Sequence, residues 1–146
     1  MRIRELRVEY RVRDDPAISE FPKLGTPREA AAFVIPLLEH EASEVFGIVC
    51  LSTKHGFLAW HEVARGSLSS CIVHPREVFK AALLANSACI VGAHNHPSGD
   101  PTPSPDDIEL TRKLAAAGVI LGVEFVDNII VGQAGRYYSF KEGGHL

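Results

Sequence analysis

Residues 89–107 constrain this chain more than any other stretch. Cys89-Ile90-Val91-Gly92-Ala93 is an apolar run with the length of a buried strand, and it leads directly into His94-Asn95-His96. Pro97, Ser98, Gly99, Pro101, Thr102 and Pro103 then make a rigid, non-regular loop. Ser104-Pro105-Asp106-Asp107 opens a helix: serine caps it, proline occupies the first turn, and Asp107 completes a capping box. Strand, loop and helix in that order place the two histidines at the carboxyl end of a strand. Clefts beyond such ends are where α/β folds commonly put their sites.

The remaining segments supply a sheet and its helices. Leu6, Val8, Tyr10 and Val12 alternate with Arg7, Glu9, Arg11 and Arg13, which predicts a half-buried strand, at an edge or in a dimer contact. Asp14-Asp15-Pro16 ends it, and residues 14–25 read as a loose connector. Thr26 as N-cap, Pro27 at the first turn and Glu29 closing a capping box start a helix with the stripe Ala30, Phe33, Val34, Leu37 and Leu38. Pro36 should kink or end it. Val45–Leu51 and Phe57–Val63 read as a hairpin across Lys54-His55-Gly56. Gly66 and Ser67 to Ser70 break the pattern. His74-Pro75 starts a second helix to about Asn86, with Val78, Phe79, Ala82 and Leu83 inward, and Arg76 with Glu77 as a structural pair. The third helix ends at Gly118 or Gly122; strands at 123–131 and 137–140 close the fold around a Gly132–Gly135 turn. This order predicts an α/β fold, a mixed β-sheet flanked by helices.

Composition excludes several classes. With 146 residues, 46% hydrophobic and 23% charged, the chain is one globular domain. Its net charge of −3 argues against a general nucleic-acid coat. Residues 1–13 differ, because Arg2, Arg4, Arg7, Arg11 and Arg13 outnumber Glu5 and Glu9 by three charges. Cys50, Cys71 and Cys89 lie in or beside apolar runs, so they read as buried reduced thiols. The start is arginine-rich and lacks the apolar core of a signal peptide. No window approaches the ~18–20 apolar residues of a membrane span. A cytoplasmic location and no membrane partner are expected.

His94 and His96 share one side of an extended backbone. Their imidazoles can meet one divalent metal from adjacent corners of a tetrahedron, Asp107 adding a carboxylate oxygen and water the fourth ligand. Three protein ligands leave one position free, as hydrolytic zinc sites require, and zinc lowers the pKa of its water to roughly 7. Ser104-x-x-Asp107 is equally a plain helix cap, with the histidines lining a loop. Two histidines in alternate positions favour the metal, and Ser104 can cap and face the site at once.

The stretch His94-Asn95-His96-Pro97-Ser98-Gly99, then Pro103-Ser104 and Asp107, resembles the RadC family's version of the JAB/JAMM metalloprotease motif. That motif is His-x-His, seven residues, Ser, two residues, Asp. Further resemblance lies in Val73–Phe79, Val126–Gly132 and Tyr137–Phe140, and it covers about Thr26 to Gly143. It implies a JAB/MPN domain over residues 26–146, of cytidine-deaminase-like architecture, after an N-terminal basic strand and connector over 1–25. It also implies one zinc per chain held by His94, His96 and Asp107, oxyanion stabilisation by Ser104, and Glu44, just ahead of the first core strand, as general base. Glu62 is the rival base. His61-Glu62 is not a zincin helix, since Arg65 takes the second histidine's place. The deaminases' Pro-Cys-x-x-Cys element is missing. Two departures stand out: Asn128 replaces the histidine of the usual Asp-His, and residues 1–25 are too short for the helix-hairpin-helix region of long family members.

The expected function is therefore a zinc-dependent metallopeptidase or isopeptidase-like hydrolase that cleaves an amide bond in a protein or peptide by metal-activated water. Nucleic acid is not the expected partner of this domain alone; a homodimer through the first strand is consistent with its pattern. Two alternatives remain. One is a non-catalytic protein-interaction module on the same fold. The other is a DNA-repair-associated factor that contacts phosphates through the basic arm.

Overall fold

The apolar runs pair into one sheet. In the computed structural model, which describes residues 1–16, 22–66 and 73–146, helix α1 (Pro27–Leu38) precedes strands β1 (Val45–Leu51) and β2 (Phe57–Arg65). Helix α2 (Pro75–Leu84), β3 (Cys89–Asn95), α3 (Pro105–Leu121), β4 (Glu124–Val131) and β5 (Tyr137–Ser139) follow. The strands lie in the order β2-β1-β3-β4-β5. β3 and β4 are parallel, the other neighbours antiparallel. A parallel pair needs a crossover, and α3 provides it. The fold is the expected mixed α/β sheet flanked by helices, consistent with a JAB/MPN domain.

β1 and β3 are buried along their whole length, which is why they read as continuous apolar runs. Alternation still divides them between two layers. Val45, Val49, Leu51, Cys89, Val91 and Ala93 pack with α1 through Ala30, Phe33, Val34 and Leu38. Phe46, Ile48, Cys50 and Ile90 pack with α2 and α3 through Val78, Phe79, Ala82, Leu110 and Leu114. Parity carries this division past the apolar residues: His94 continues the set of Ile90 on the α3 side, and Asn95 continues that of Val91 and Ala93 on the α1 side.

Local signals set the helix ends. Thr26 and Glu29 form the capping box of α1, and Ser104 with Asp107 forms that of α3. α3 stops at Gly122, whose φ of 70° suits a residue without Cβ. Gly118 stays helical; a Cβ there would meet the Val123 carbonyl at 2.4 Å. Pro36 lies inside α1, which ends two residues later. Cys50 and Cys89 are buried free thiols, as expected; Cys71 and Ser67 to Ser70 lie outside the described residues.

Four expectations are corrected. Residues 6–13 form no strand, and Leu6, Val8, Tyr10 and Val12 are exposed. An alternating pattern needs a neighbouring ladder to become a strand, and among the described residues none pairs with it. The end of the connector is held rather than loose: Leu24 is buried, its N–H donates to the His55 carbonyl at 2.9 Å, and Phe57 N–H donates to Pro22 at 3.0 Å. Leu83 is 49% exposed, because it lies at the margin of the α2 stripe defined by Val78 and Ala82. Glu77 pairs with Lys80 rather than Arg76.

Candidate metal centre

The end of β3 and the first turn of α3 meet on one side of the sheet. His94, stacked on Phe46 with ring centroids 5.9 Å apart, is 2% exposed. Its Nε2 lies 3.2 Å from Asp107 Oδ1, and His96 Nε2 lies 3.2 Å from Asp107 Oδ2. One ligand atom from each residue falls within 4.8 Å of the others, so the three can hold a metal ion. Two ligands on a tetrahedral zinc, with bonds of ~2.0–2.1 Å, stand roughly 3.3 Å apart. Each ring nitrogen stands about that far from one carboxylate oxygen, His94 from Oδ1 and His96 from Oδ2.

Satisfaction of polar atoms tests the fit independently. Neither ring nitrogen of buried His94 has a hydrogen-bond partner. Its 3.2 Å approach to Asp107 is a charge contact without hydrogen-bond alignment. Leaving such a group unpaired costs roughly 1–3 kcal/mol, and a cation between the rings and the carboxylate would satisfy Nε2, the nitrogen that faces Asp107. Two imidazoles and a carboxylate are also a zinc donor set. The residues fit the ion.

Neighbouring groups orient His96 and Asp107. His96 Nδ1 is 2.8 Å from the Asp100 carbonyl. A carbonyl only accepts, so Nδ1 carries the hydrogen and Nε2 faces Asp107 as the ligand nitrogen. Ser104 N–H donates to Asp107 Oδ2 at 2.8 Å, and Asp107 N–H donates to Ser104 Oγ at 3.1 Å. The helix cap and the ligand are thus one object: capping aims the carboxylate at the histidines. Burial works to raise the Asp107 pKa, but the contacts of His94 and His96 and the Ser104 N–H outweigh it and hold the carboxyl well below its usual range. His96 is raised, first by its bond to Asp107, against burial, with the Asp100 carbonyl and the charge of Glu44 adding to the effect.

Glu44 is half-buried immediately ahead of β1. Antiparallel pairing sets Phe46 opposite His94, which brings the start of β1 to the end of β3. The carbonyl of Glu44 accepts from Gly66 N–H at 2.8 Å. Glu62 lies on the outer strand and is exposed, with Oε1 2.6 Å from Arg65, which also grips Glu41. Burial, with the charge of Lys80, lowers the His61 pKa against the opposing charges of Glu62 and Glu77. His74 caps α2, its Nδ1 accepting from Arg76 N–H. Asn128 is wholly buried and donates to Thr111 Oγ1 at 2.8 Å, so the position that departs from the family pattern ties β4 to α3.

Residue patterns missed three supports. Asn95 is buried between the two histidines and bonds to the segment ahead of β1. The Asp100 carbonyl orients His96. Arg136 donates to the Gly99 carbonyl at 2.8 Å and straps the ligand loop to the β4–β5 turn. Only Asn95 carried a signal: a polar residue on a buried strand, of opposite parity to the ligands, must find partners in the core.

Comparison with known proteins agrees with the geometry. The family model for the RadC-like JAB domain matches residues 24–145. A UPF0758 protein of Desulfitobacterium hafniense is 45% identical over 135 residues, which cover 92% of this chain and 58% of the relative. UPF0758 proteins of Methanosarcina acetivorans and Halalkalibacterium halodurans are each 46% identical, over 85% and 84% of this chain and 54% and 53% of their own lengths. The chain therefore spans little more than half the length of these relatives. It belongs to the family of RadC-like JAB domains.

Proposed function

We propose that this domain is a zinc-dependent hydrolase that cleaves an amide bond in a protein or peptide. The observation that carries the reading is the unsatisfied His94 ring, buried beside His96 and a carboxylate already aimed by its helix cap. When bound, zinc supplies Lewis-acid polarisation and lowers the pKa of a water in the open position. Glu44 is the general base: its carboxylate takes a proton from the attacking water and returns it to the leaving amine. Ser104 Oγ uses a lone pair to accept from Asp107 N–H, which leaves its O–H to donate to the developing oxyanion.

Two measurements test this. Purified protein should hold about one zinc per chain, consistent with one three-ligand site. Glu44→Gln should keep that zinc and lose roughly 10²–10⁴-fold in turnover of a peptide found by mass-spectrometric screening of a peptide library. A Glu44→Gln variant as active as the parent removes Glu44 from the chemistry. A zinc-loaded parent that cleaves no member of the library favours a binding module on the same fold.

A further inference from the structure

We infer that Asn95, the residue between the two histidines, is a positioning residue that fixes Glu44 relative to the metal ligands. The inference rests on the reading of Glu44 as the base. Asn95 Oδ1 accepts from Val45 N–H at 2.7 Å. Its Nδ2 donates to the Ser43 carbonyl at 3.0 Å and to the Glu41 carbonyl at 3.2 Å. Ser43 and Val45 flank Glu44 directly, and both bonds span at least 50 residues of sequence. The ladder between β1 and β3 ends at Phe46 and His94. One residue further, the Asn95 amide replaces the backbone pairing that the strands no longer make.

Alternation gives the arrangement its logic. His94 and His96 point to the α3 side, so Asn95 must point to the other, where the chain passes from α1 into β1. Continuing the parity of Phe46 and Ile48 back to residue 44 returns the glutamate to the α3 side. One peptide stretch, 94–96, thus presents two ligands on one face and secures the carrier of the base from the other. The amide is the side chain this needs. It offers one acceptor and two donors, and all three are engaged. Aspartate keeps the acceptor and loses both donors; alanine loses everything. Glu41 is held again through its carboxylate by Arg65, and the Glu44 carbonyl by Gly66 N–H.

The test uses the 146-residue chain with cobalt(II) as the metal probe and ¹³C-labelled glutamate. In the parent, the Glu44 carboxylate carbon should give one sharp resonance shifted by cobalt. Asn95→Ala should bind cobalt with less than the roughly 10–100-fold loss expected of a residue that orients a ligand. Its Val45 amide should exchange about tenfold faster, the scale of one lost hydrogen bond. Its Glu44 resonance should broaden and lose at least about half its cobalt-induced shift, since paramagnetic shifts fall steeply with distance and motion. A purely structural role leaves that resonance in place. Asn95→Asp, nearly isosteric, should keep slow Val45 exchange yet still displace Glu44, and it serves alone if the alanine variant does not fold. A Glu44 shift unchanged in the variants overturns the inference while the metal site stands. A parent that fails to bind cobalt overturns the metal reading, and the positioning role with it.

Discussion

On β4, Asp127 is 2% exposed, and its oxygens accept from Ser139 Oγ at 2.6 Å, Asn128 N–H at 2.7 Å and Lys141 N–H at 3.0 Å. One strand away, His94 is equally hidden at 2% and its ring nitrogens have no hydrogen-bond partner. Burial pushes the Asp127 carboxyl up despite its bonds, whereas Asp107, caught between two imidazoles, is held far down. Depth alone therefore does not mark a functional group. What separates the clusters is satisfaction: Asp127 closes β4 onto the β5 end with ordinary donors, while the ring nitrogens of His94 have no hydrogen-bond partner.

The sharpest way to break this contrast is Asp107→Ala. It should lower zinc affinity by more than the roughly 10–100-fold cost of losing an outer-shell partner, as read by competition with a chromophoric chelator. Retained affinity would make the centre no different from the Asp127 cluster. Asp127→Ala should do the opposite, leaving zinc content unchanged but costing on the order of 3 kcal/mol in urea unfolding, because three donors lose their acceptor. A smaller effect is expected of Thr111→Val, about 1–2 kcal/mol, since Asn128 Nδ2 loses its acceptor in the core. Last comes a shift in titration. In metal-free protein, NMR should find His96 above its ordinary 6.5, and Asp107→Asn should bring it down. Because the folded value is raised, this contribution to stability is fully present below 6.5 and is lost as pH rises through the folded pKa. A His96 that titrates at or below 6.5 would mean that the two rings do not share the carboxylate.

The helices were legible because their signals are local. Thr26-x-x-Glu29 and Ser104-x-x-Asp107 each describe one turn of chain, and both caps form as read. Apolar runs gave β1 and β3, since a strand buried on both faces leaves no other pattern. The same reasoning failed at residues 6–13, where alternation was present but no ladder paired with it. Leu83 failed for a related reason, since the width of a helix stripe depends on what packs against it. Residue pattern alone left Glu44, ahead of the first hairpin strand, and Glu62, on the second, as rival acidic residues; only the family resemblance favoured Glu44. Glu62 is ion-paired with Arg65, and pairing of β1 with β3 brings the segment of Glu44 to the end of β3.

Donor types and their spacing belong to the sequence by itself. An i, i+2 pair of imidazoles on an extended backbone must share a face, and a capped helix after a short loop must return its first turn nearby. Tertiary structure alone decided which distant groups support the candidate centre: Asn95 reaching residues 41–45, and Arg136 strapping the loop after His96. Local preferences act over a turn or a strand. Contacts between segments some fifty residues apart exist only once sheet order and core packing have chosen one register.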